Sequence, residues 1–267
     1  MKKGISLLLA AALGLSLLVG CSSSGGGSAS GSGSAQSSSG AAFSTVKDGV
    51  LTMATNAYFP PYEYYEGNQI VGIDAEIVEA IAGKLGLKAQ IEDMEFDSII
   101  TAVQSGKVDM GLAGMTVTED RLKTVNFSDS YATGIQSIIV KENSDIASIE
   151  DLEGRMIGVQ LSTTGDIYAS DEFGEDHVDQ YSKGADAVMA LVNDKVDAVI
   201  IDNEPAKAFV ETNQGLKILD TPYAEEQYAA AISKDNEALL KAVNVALKEL
   251  TADGTIQAIL DKYISAE

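Results

Sequence analysis

Gly106-Lys107-Val108-Asp109-Met110 recurs as Asp194-Lys195-Val196-Asp197-Ala198, 88 positions further along the chain. Each copy follows an amphipathic helical pattern, Ile99/Ile100/Val103 before the first and Ala187/Val188/Leu191 before the second, and each opens an apolar strand. Both strands run into polar tips, Gly114-Met115-Thr116 in the first copy and Asp202-Asn203-Glu204 in the second. So short a match has two explanations. Helix-turn-strand units converge on such residues by themselves, or the chain holds two similar α/β lobes that present their strand ends at one site. Ligands of open α/β sheets bind outside the carboxyl ends of the strands, so two lobes would place the site in the cleft between them.

The surrounding pattern extends the alternation. Residues 49–55 read as a strand ending in a turn-rich stretch, 56–62. Asp74 reads as the N-cap of a helix carrying Ile77, Ile81 and Leu85 on one face, with Gly86 as its stop. Residues 89–94 read as a strand, 97–105 as a helix with Gly106 at its end, and 108–113 as another strand. Repeated β-α alternation with short connections is the signature of α/β architecture with parallel sheets.

Composition removes several function classes. The chain has 267 residues, 45% of them hydrophobic, which is enough for a sizeable core in one large or two ordinary domains. Its 18 basic against 40 acidic residues give a formal net charge of −22, and its pI lies near 4.2. Binding nucleic acid needs a basic face to replace phosphate counterions, so no nucleic-acid partner is expected. One cysteine, Cys21, and one histidine, His177, exclude a disulfide framework, a CxxC redox site and a zinc site of the usual type. They also leave few routes to Ser-His or Cys-His catalysis. No metal, cofactor or catalytic residue is expected.

The first twenty residues read as an address. Lys2 and Lys3 precede an apolar run over 5–19, shorter than the roughly 20 residues a comfortable membrane span needs and matched to a secretory leader. Leu18-Val19-Gly20-Cys21 resembles a bacterial lipobox, whose cysteine is acylated and becomes the first residue of the mature chain. A mature surface this acidic gains nothing from anionic lipid, so attachment would come from the acyl chains. Residues 22–40 are Ser and Gly apart from Ala29, Ala35 and Gln36. That composition behaves as a flexible coil spanning on the order of 25 Å, a tether for a body that begins near Phe43.

The strand tips carry groups suited to a free amino acid. Arg121 stands where a strand hands over to a helix capped by Thr118, and its guanidinium matches a carboxylate with two parallel hydrogen bonds. Residues 156–160 read as a strand leading into Ser162-Thr163-Thr164-Gly165, with a helix starting near Asp166, so that backbone N–H groups and hydroxyls form an anion-receiving cup. Asp202, at the end of the strand over 196–201, is placed to hold an ammonium. Tyr58-Phe59-Pro60-Pro61-Tyr62 makes a stiff apolar loop, kept to an edge by its prolines, and Phe96 supplies a second ring for the flat part of a ligand.

In this order the motifs become specific. Tyr58-Phe59-Pro60-Pro61-Tyr62-Glu63-Tyr64, Gly72-Ile73-Asp74-Ala75-Glu76-Ile77 and Phe96-Asp97-Ser98-Ile99-Ile100 resemble the polar amino-acid-binding proteins of bacterial ABC importers, extracellular solute-binding protein family 3. The match continues through Gly114-Met115-Thr116-Val117-Thr118 with Arg121, Asn126-Phe127-Ser128-Asp129-Ser130-Tyr131, Gly158-Val159-Gln160 with Thr163-Thr164-Gly165, and Asp197-Ala198-Val199 with Asp202. It spans residues 46–264 and is similar to glutamine-, histidine- and lysine/arginine/ornithine-binding proteins, in this lipoprotein form to those of Gram-positive bacteria.

The resemblance implies an α/β, two-lobe periplasmic-binding-protein-like fold, each lobe an α/β sandwich, joined by two crossing strands near 133–137 and 224–229. Residues 1–20 would be the signal peptide and 21–42 the lipidated cysteine and linker. Lobe 1 would hold 43–134 and 228–267, lobe 2 residues 135–227. The C-terminal helical patterns (Leu239/Leu240/Val243/Leu247 and Ile256/Ile259/Leu260/Tyr263) would return to lobe 1. Carried over residue by residue, Arg121 and Thr164 hold the ligand carboxylate with Thr116 and Thr163 beside them. Gly114 offers its carbonyl and Asp202 its carboxylate to the ammonium, and Phe59 and Phe96 are the sandwiching rings. Asn56 lines the same site, but several family members carry an acid there, which weakens the case for a dedicated lysine or arginine binder; Glu63 is a candidate substitute. The implied partners are a free amino acid and an importer permease, for a monomer anchored by lipid on the outer face of the cell membrane. Two other classes stay open: an extracytoplasmic sensor signalling to a membrane receptor, whose tether and pocket would look identical, and a dehydratase on the same fold acting on prephenate-like acids, for which only Glu63 and Asp202 are nominal acids.

Overall fold

The structure, a computed structural model, describes residues 43–220 and 222–264. The leader, Cys21 and the Ser/Gly stretch lie outside the described residues. The first half runs β1 (Val50–Thr55), β2 (Tyr58–Phe59), β3 (Glu63–Glu66), β4 (Gln69–Val71), α1 (Ile73–Leu85), β5 (Lys88–Asp93), α2 (Phe96–Gln104), β6 (Met110–Gly111), α3 (Glu119–Thr124) and β7 (Val125–Phe127). After it come β8 (Ala132–Lys141), β9 (Ile157–Gln160), α4 (Thr164–Phe173), β10 (Val178–Tyr181), α5 (Gly184–Val192), β11 (Ala198–Asp202), α6 (Asn203–Thr212) and β12 (Leu216–Ile218). The chain closes with β13 (Ala224–Tyr228), β14 (Ala231–Ser233), α7 (Glu237–Ala252) and α8 (Thr255–Tyr263).

Two sheets organise two lobes. The first has the order β5-β1-β6-β14-β7, with β1 parallel to β5 and β6, and β14 antiparallel to β6 and β7. The second has the order β10-β9-β11-β8-β12, with β9 parallel to β10 and β11, and β8 antiparallel to β11 and β12. The same parallel trio followed by a reversed strand therefore occurs in each lobe. Central strands covered on both faces are buried along their length, as β1 and β11 are.

The repeated pentapeptide sits at the same place in both lobes. After α2, the Lys107 N–H donates to the Ala102 carbonyl at 2.9 Å; after α5, the Lys195 N–H donates to the Ala190 carbonyl at 2.9 Å. Gly106 has φ 69° and Asp194 φ 56°, so both turns need a left-handed residue, a conformation that Gly adopts freely and Asp tolerates. Asp109 then accepts from the Thr52 N–H of β1 at 2.7 Å, and Asp197 from the Met156 N–H just before β9 at 2.9 Å. The repeat is one device used twice. It aligns the start of a new strand with its parallel neighbour and sends both strand ends toward the cleft.

Packing follows the helical spacing. Ile73, Ile77 and Ile81 of α1 are fully buried against the first sheet, each worth about 1.5–3 kcal/mol of burial. α1 ends at Gly86, left-handed with φ 72°, whose N–H bonds back to the helix. The C-terminal α7, capped by Asn236, buries Leu239, Val243, Ala246, Leu247 and Leu250 and packs on α1 and β14; α8 packs on α1. The connection between lobes is β8 paired antiparallel with β13, from Ala224 opposite Gln136 to Tyr228 opposite Ala132. Tyr228 lies over Gly134, where a Cβ would come within 2.3 Å of its ring and hydroxyl, so glycine is required at that crossing.

Some local expectations shift. α1 is entered from Gly72 rather than capped by Asp74, because Asp74 is fully buried and turned into the core. The strand expected over 108–113 pairs as the two-residue β6, and the helix expected near Asp166 begins at Thr164. Pro60 and Pro61, joined by a cis peptide bond, occupy the turn of a hairpin in which β2 is the edge strand of a small sheet, β2-β3-β4.

Candidate functional site

Both parallel trios end at one cavity, lined by Asn56, Phe59, Glu63, Phe96, Ala113, Gly114, Thr116, Arg121, Gln160, Thr163, Thr164 and Asp202. All nine residues expected to bind a ligand from the sequence are among these twelve.

The first lobe supplies the guanidinium. Thr118 caps α3, its hydroxyl accepting from the Arg121 N–H at 3.2 Å, which sets the direction in which Arg121 leaves the helix. The side chain is 8% exposed. Its Nη1 donates to the Thr116 carbonyl at 2.7 Å and its Nη2 to the Ser162 carbonyl at 2.9 Å, while Cζ stands 5.4 Å above the Phe96 ring. Phe59 closes the neighbouring wall, its ring packed on Tyr62 with centroids 5.9 Å apart. Gly114 has φ 52°, and a Cβ there would stand 2.8 Å from the Phe59 ring.

The second lobe supplies an anion cup and an acid. Thr163 caps α4, accepting from the Asp166 N–H at 3.3 Å while its hydroxyl donates to the Gln160 carbonyl at 2.7 Å. Ser162 is held left-handed, with φ 64° and its N–H on the Asp166 carboxylate at 2.8 Å. The first N–H groups of α4, from Thr164 onward, have no partner within the helix and carry its positive end toward the cavity. Asp202 ends β11. One carboxylate oxygen accepts from Gln136 Nε2 at 2.8 Å, and the other is buried without a partner.

Acids outnumber bases here, and burial governs them. Burial and the neighbouring Glu226 push the Asp202 carboxyl up to about 8, although Gln136 and Arg121 work the other way. Glu63 is 1% exposed and rises well above the usual carboxylate range, first through burial and then through the Asp74 charge and hydrogen bond beside it. Burial raises Asp74 to about 6, opposed by the Gly114 N–H at 2.8 Å and the Tyr131 hydroxyl at 2.9 Å. Neither Glu63 oxygen meets a nitrogen or hydroxyl donor, and Asp74 beside it also keeps one oxygen without a partner. Burial lowers the Arg121 guanidinium, opposed by Glu226 and Asp202.

Contacts that join the lobes across the cavity include Gln160 Nε2 on the Asn56 Oδ1 at 2.9 Å, Arg121 on Ser162, and the Lys183 ammonium 3.5 Å from the centre of the Tyr58 ring. Asn56 is thus occupied by Gln160 and by the Met94 carbonyl, which its amide nitrogen reaches at 2.9 Å. Glu226 and Gln136 belong to this site too, and no motif marks them. Period-2 alternation in β13 places Glu226 on the same buried side as Tyr228, which is the one signal the sequence offers. Among the described residues, no group of His, Cys, Asp or Glu could hold a metal ion, and no helix is long and apolar enough to cross a membrane.

The family described as bacterial extracellular solute-binding proteins, family 3, matches residues 51–266. The arginine-binding extracellular protein ArtP of Bacillus subtilis is 38% identical over 223 residues, covering 81% of this chain and 87% of its own length. An ancestral arginine-binding protein, solved bound to glutamine, superposes with a TM-score of 0.78 at 40% identity, covering 82% of this chain and all of the other. The ancestral amino acid-binding protein AncCDT-1, a precursor of cyclohexadienyl dehydratase, superposes with a TM-score of 0.76 at 33% identity, over 81% of this chain and 96% of the other.

Proposed function

The chain belongs to the bacterial extracellular solute-binding proteins, family 3, and on that premise we propose that it binds one free amino acid outside the cell by closing two lobes over it, and delivers it to an ABC-importer permease. One observation carries the reading: the cavity is polarised along the axis of a zwitterion. Arg121 and the positive end of α4 form one pole, and Asp202, with an unpartnered oxygen, forms the other. In this reading the carboxylate meets Arg121 and the N–H groups at the start of α4, the ammonium meets Asp202, and Phe59, Phe96, Gly114, Thr116, Thr163 and Asn56 complete the walls.

The side chain of the ligand is best matched by a cationic or amide-bearing amino acid. Asn56 has no charge, but four carboxyl groups, of Glu63, Asp74, Asp202 and Glu226, stand in or behind the site beside the Arg121 guanidinium, and a ligand cation favours the ionised form of a nearby carboxyl. Relatives named for arginine, and one solved with glutamine, agree with that balance. We assign no catalysis. The relatives that match this chain at 38–40% identity are named as binding proteins. The division into 43–134 with 228–267 and 135–227 is supported by the two sheets, and lipid anchoring at Cys21 on the outer face of the membrane by the leader sequence.

A thermal-shift screen of the mature protein against the twenty amino acids and L-cystine tests this. A true ligand at 100 times its Kd adds about 2.7 kcal/mol of stability. Absence of a shift with every compound would contradict the proposal.

A further inference from the structure

Glu226 of β13 is 4% exposed, and three donors converge on one of its oxygens. Thr116 Oγ1 of the first lobe donates at 2.9 Å, Thr164 Oγ1 of the second lobe at 2.9 Å, and Gln136 Nε2 of the crossing strand β8 at 3.0 Å. The other Glu226 oxygen is buried without a partner. A hydroxyl has a single proton. Once that proton is given to Glu226, a threonine has nothing but lone pairs for any other group that approaches.

This changes what the two threonines can hold. A ligand carboxylate offers no proton, so the hydroxyls of Thr116 and Thr164 cannot serve it while both donate to Glu226. The hydroxyl of Thr163 is spent as well, on the Gln160 carbonyl. The donors left for a carboxylate are Arg121 and the N–H groups at the start of α4. The Thr116 and Thr164 oxygens, like Asp202 Oδ1, are then left as acceptors. Glu226 reaches both lobes from the crossing strand, so it sets this polarity from the place where the lobes meet.

We propose that Glu226 is a positioning and specificity-determining residue: by taking the hydroxyl protons of Thr116 and Thr164, it makes both threonines acceptors for the ligand ammonium and so fixes which way round an amino acid lies. The inference rests on the amino-acid-binding reading above. It depends on Glu226 as an acceptor rather than as a charge. Glutamine at this position keeps an amide oxygen for the three donors, whereas leucine keeps the bulk and frees the hydroxyl protons.

The test compares ligands that differ in the ammonium alone. L-Arginine and L-glutamine are each paired with the analogue lacking the α-amino group, 5-guanidinopentanoate and 4-carbamoylbutanoate, and titrated by calorimetry. For the amino acid that binds, the parent should prefer the intact molecule over its analogue by at least about a hundredfold, from the loss of a buried charged partner. Glu226→Leu should cut that preference at least about tenfold, the intact amino acid losing affinity relative to its analogue. Glu226→Gln should keep the preference. Thr116→Val, which removes one acceptor directly, should reproduce part of the loss and provides a second route if the leucine variant folds poorly. An unchanged preference in both Glu226→Leu and Thr116→Val, or an equal fall for the intact ligand and its analogue, would overturn the role assigned to Glu226. Failure of the parent to bind either amino acid or any of the other eighteen would instead overturn the binding reading, and this inference with it.

Discussion

Asp202→Asn should stabilise the unliganded protein and weaken its binding at the same time. Asp202 has a carboxyl raised from 3.8 to about 8 in the folded protein. At pH 7 folding must therefore be accompanied by proton uptake, at about 1.4 kcal/mol per unit between 3.8 and 7, or about 4 kcal/mol. Asparagine removes that cost. Its amide oxygen still accepts from Gln136, but its amide nitrogen falls where the second carboxylate oxygen has no partner, at a cost of about 1–3 kcal/mol. The balance is a gain of about 1–3 kcal/mol at pH 7, or roughly 3–10 °C in Tm for a folded body of this size. A carboxyl with a raised folded-state pKa contributes stability that is complete below 3.8 and lost as the pH climbs through about 8. The advantage of the variant should therefore grow steadily from pH 5 to pH 8. Asp74, raised to about 6, is common to both proteins and cancels in the comparison. Calorimetric Tm values at several pH values, with amino-acid titrations on the same samples, provide the assay. A Tm difference that does not vary with pH would refute the reasoning, since Asp202 would then titrate as an ordinary carboxyl.

Arg121→Ala strands a ligand carboxylate in a closed cleft, which typically costs 2–5 kcal/mol at buried pairs, so affinity should fall at least about thirtyfold by calorimetry. The same change removes the donors to the Thr116 and Ser162 carbonyls and should lower the stability of the empty protein by about 1–3 kcal/mol. Cys21→Ser should abolish lipid labelling and release the protein from membranes with ligand affinity unchanged; membrane retention in cells that still process other lipoproteins would count against the anchor.

The sequence made much of this legible where the signal was local or repeated. The pentapeptide at 106–110 and 194–198 located two equivalent strand starts, because a left-handed turn residue and an aspartate on the neighbouring strand are demanded by the same geometry in each lobe. Gly86, Thr118 and the α7 stripe were readable as a stop, a cap and a core face. Asp74 was not. An acid near a helix start reads as a cap, and its burial depends on Gly114 and Tyr131, which lie 40 and 57 residues away. Glu226 was illegible for a related reason. It stands in a short strand of mixed polarity, Ala224-Glu225-Glu226-Gln227-Tyr228, and its significance comes from Thr116, Gln136 and Thr164 arriving from three other elements. The hydroxyl directions in the site are likewise set by partners far along the chain, since Thr116 and Thr164 both donate to Glu226.

An amino acid should draw the two lobes together, because Arg121 and Phe96 stand on one lobe and Thr164 and Asp202 on the other. A ligand can shift that equilibrium by no more than its differential affinity for the closed arrangement. The direct measurement is the lobe-to-lobe distance, followed by one fluorescent label on each lobe in a Cys21→Ser background, as the amino acid giving the largest thermal shift is titrated to saturation. The distance should shorten along the same isotherm as binding, and Asp202→Ala should weaken both together. A saturated protein whose lobes stay at their unliganded separation would contradict the account.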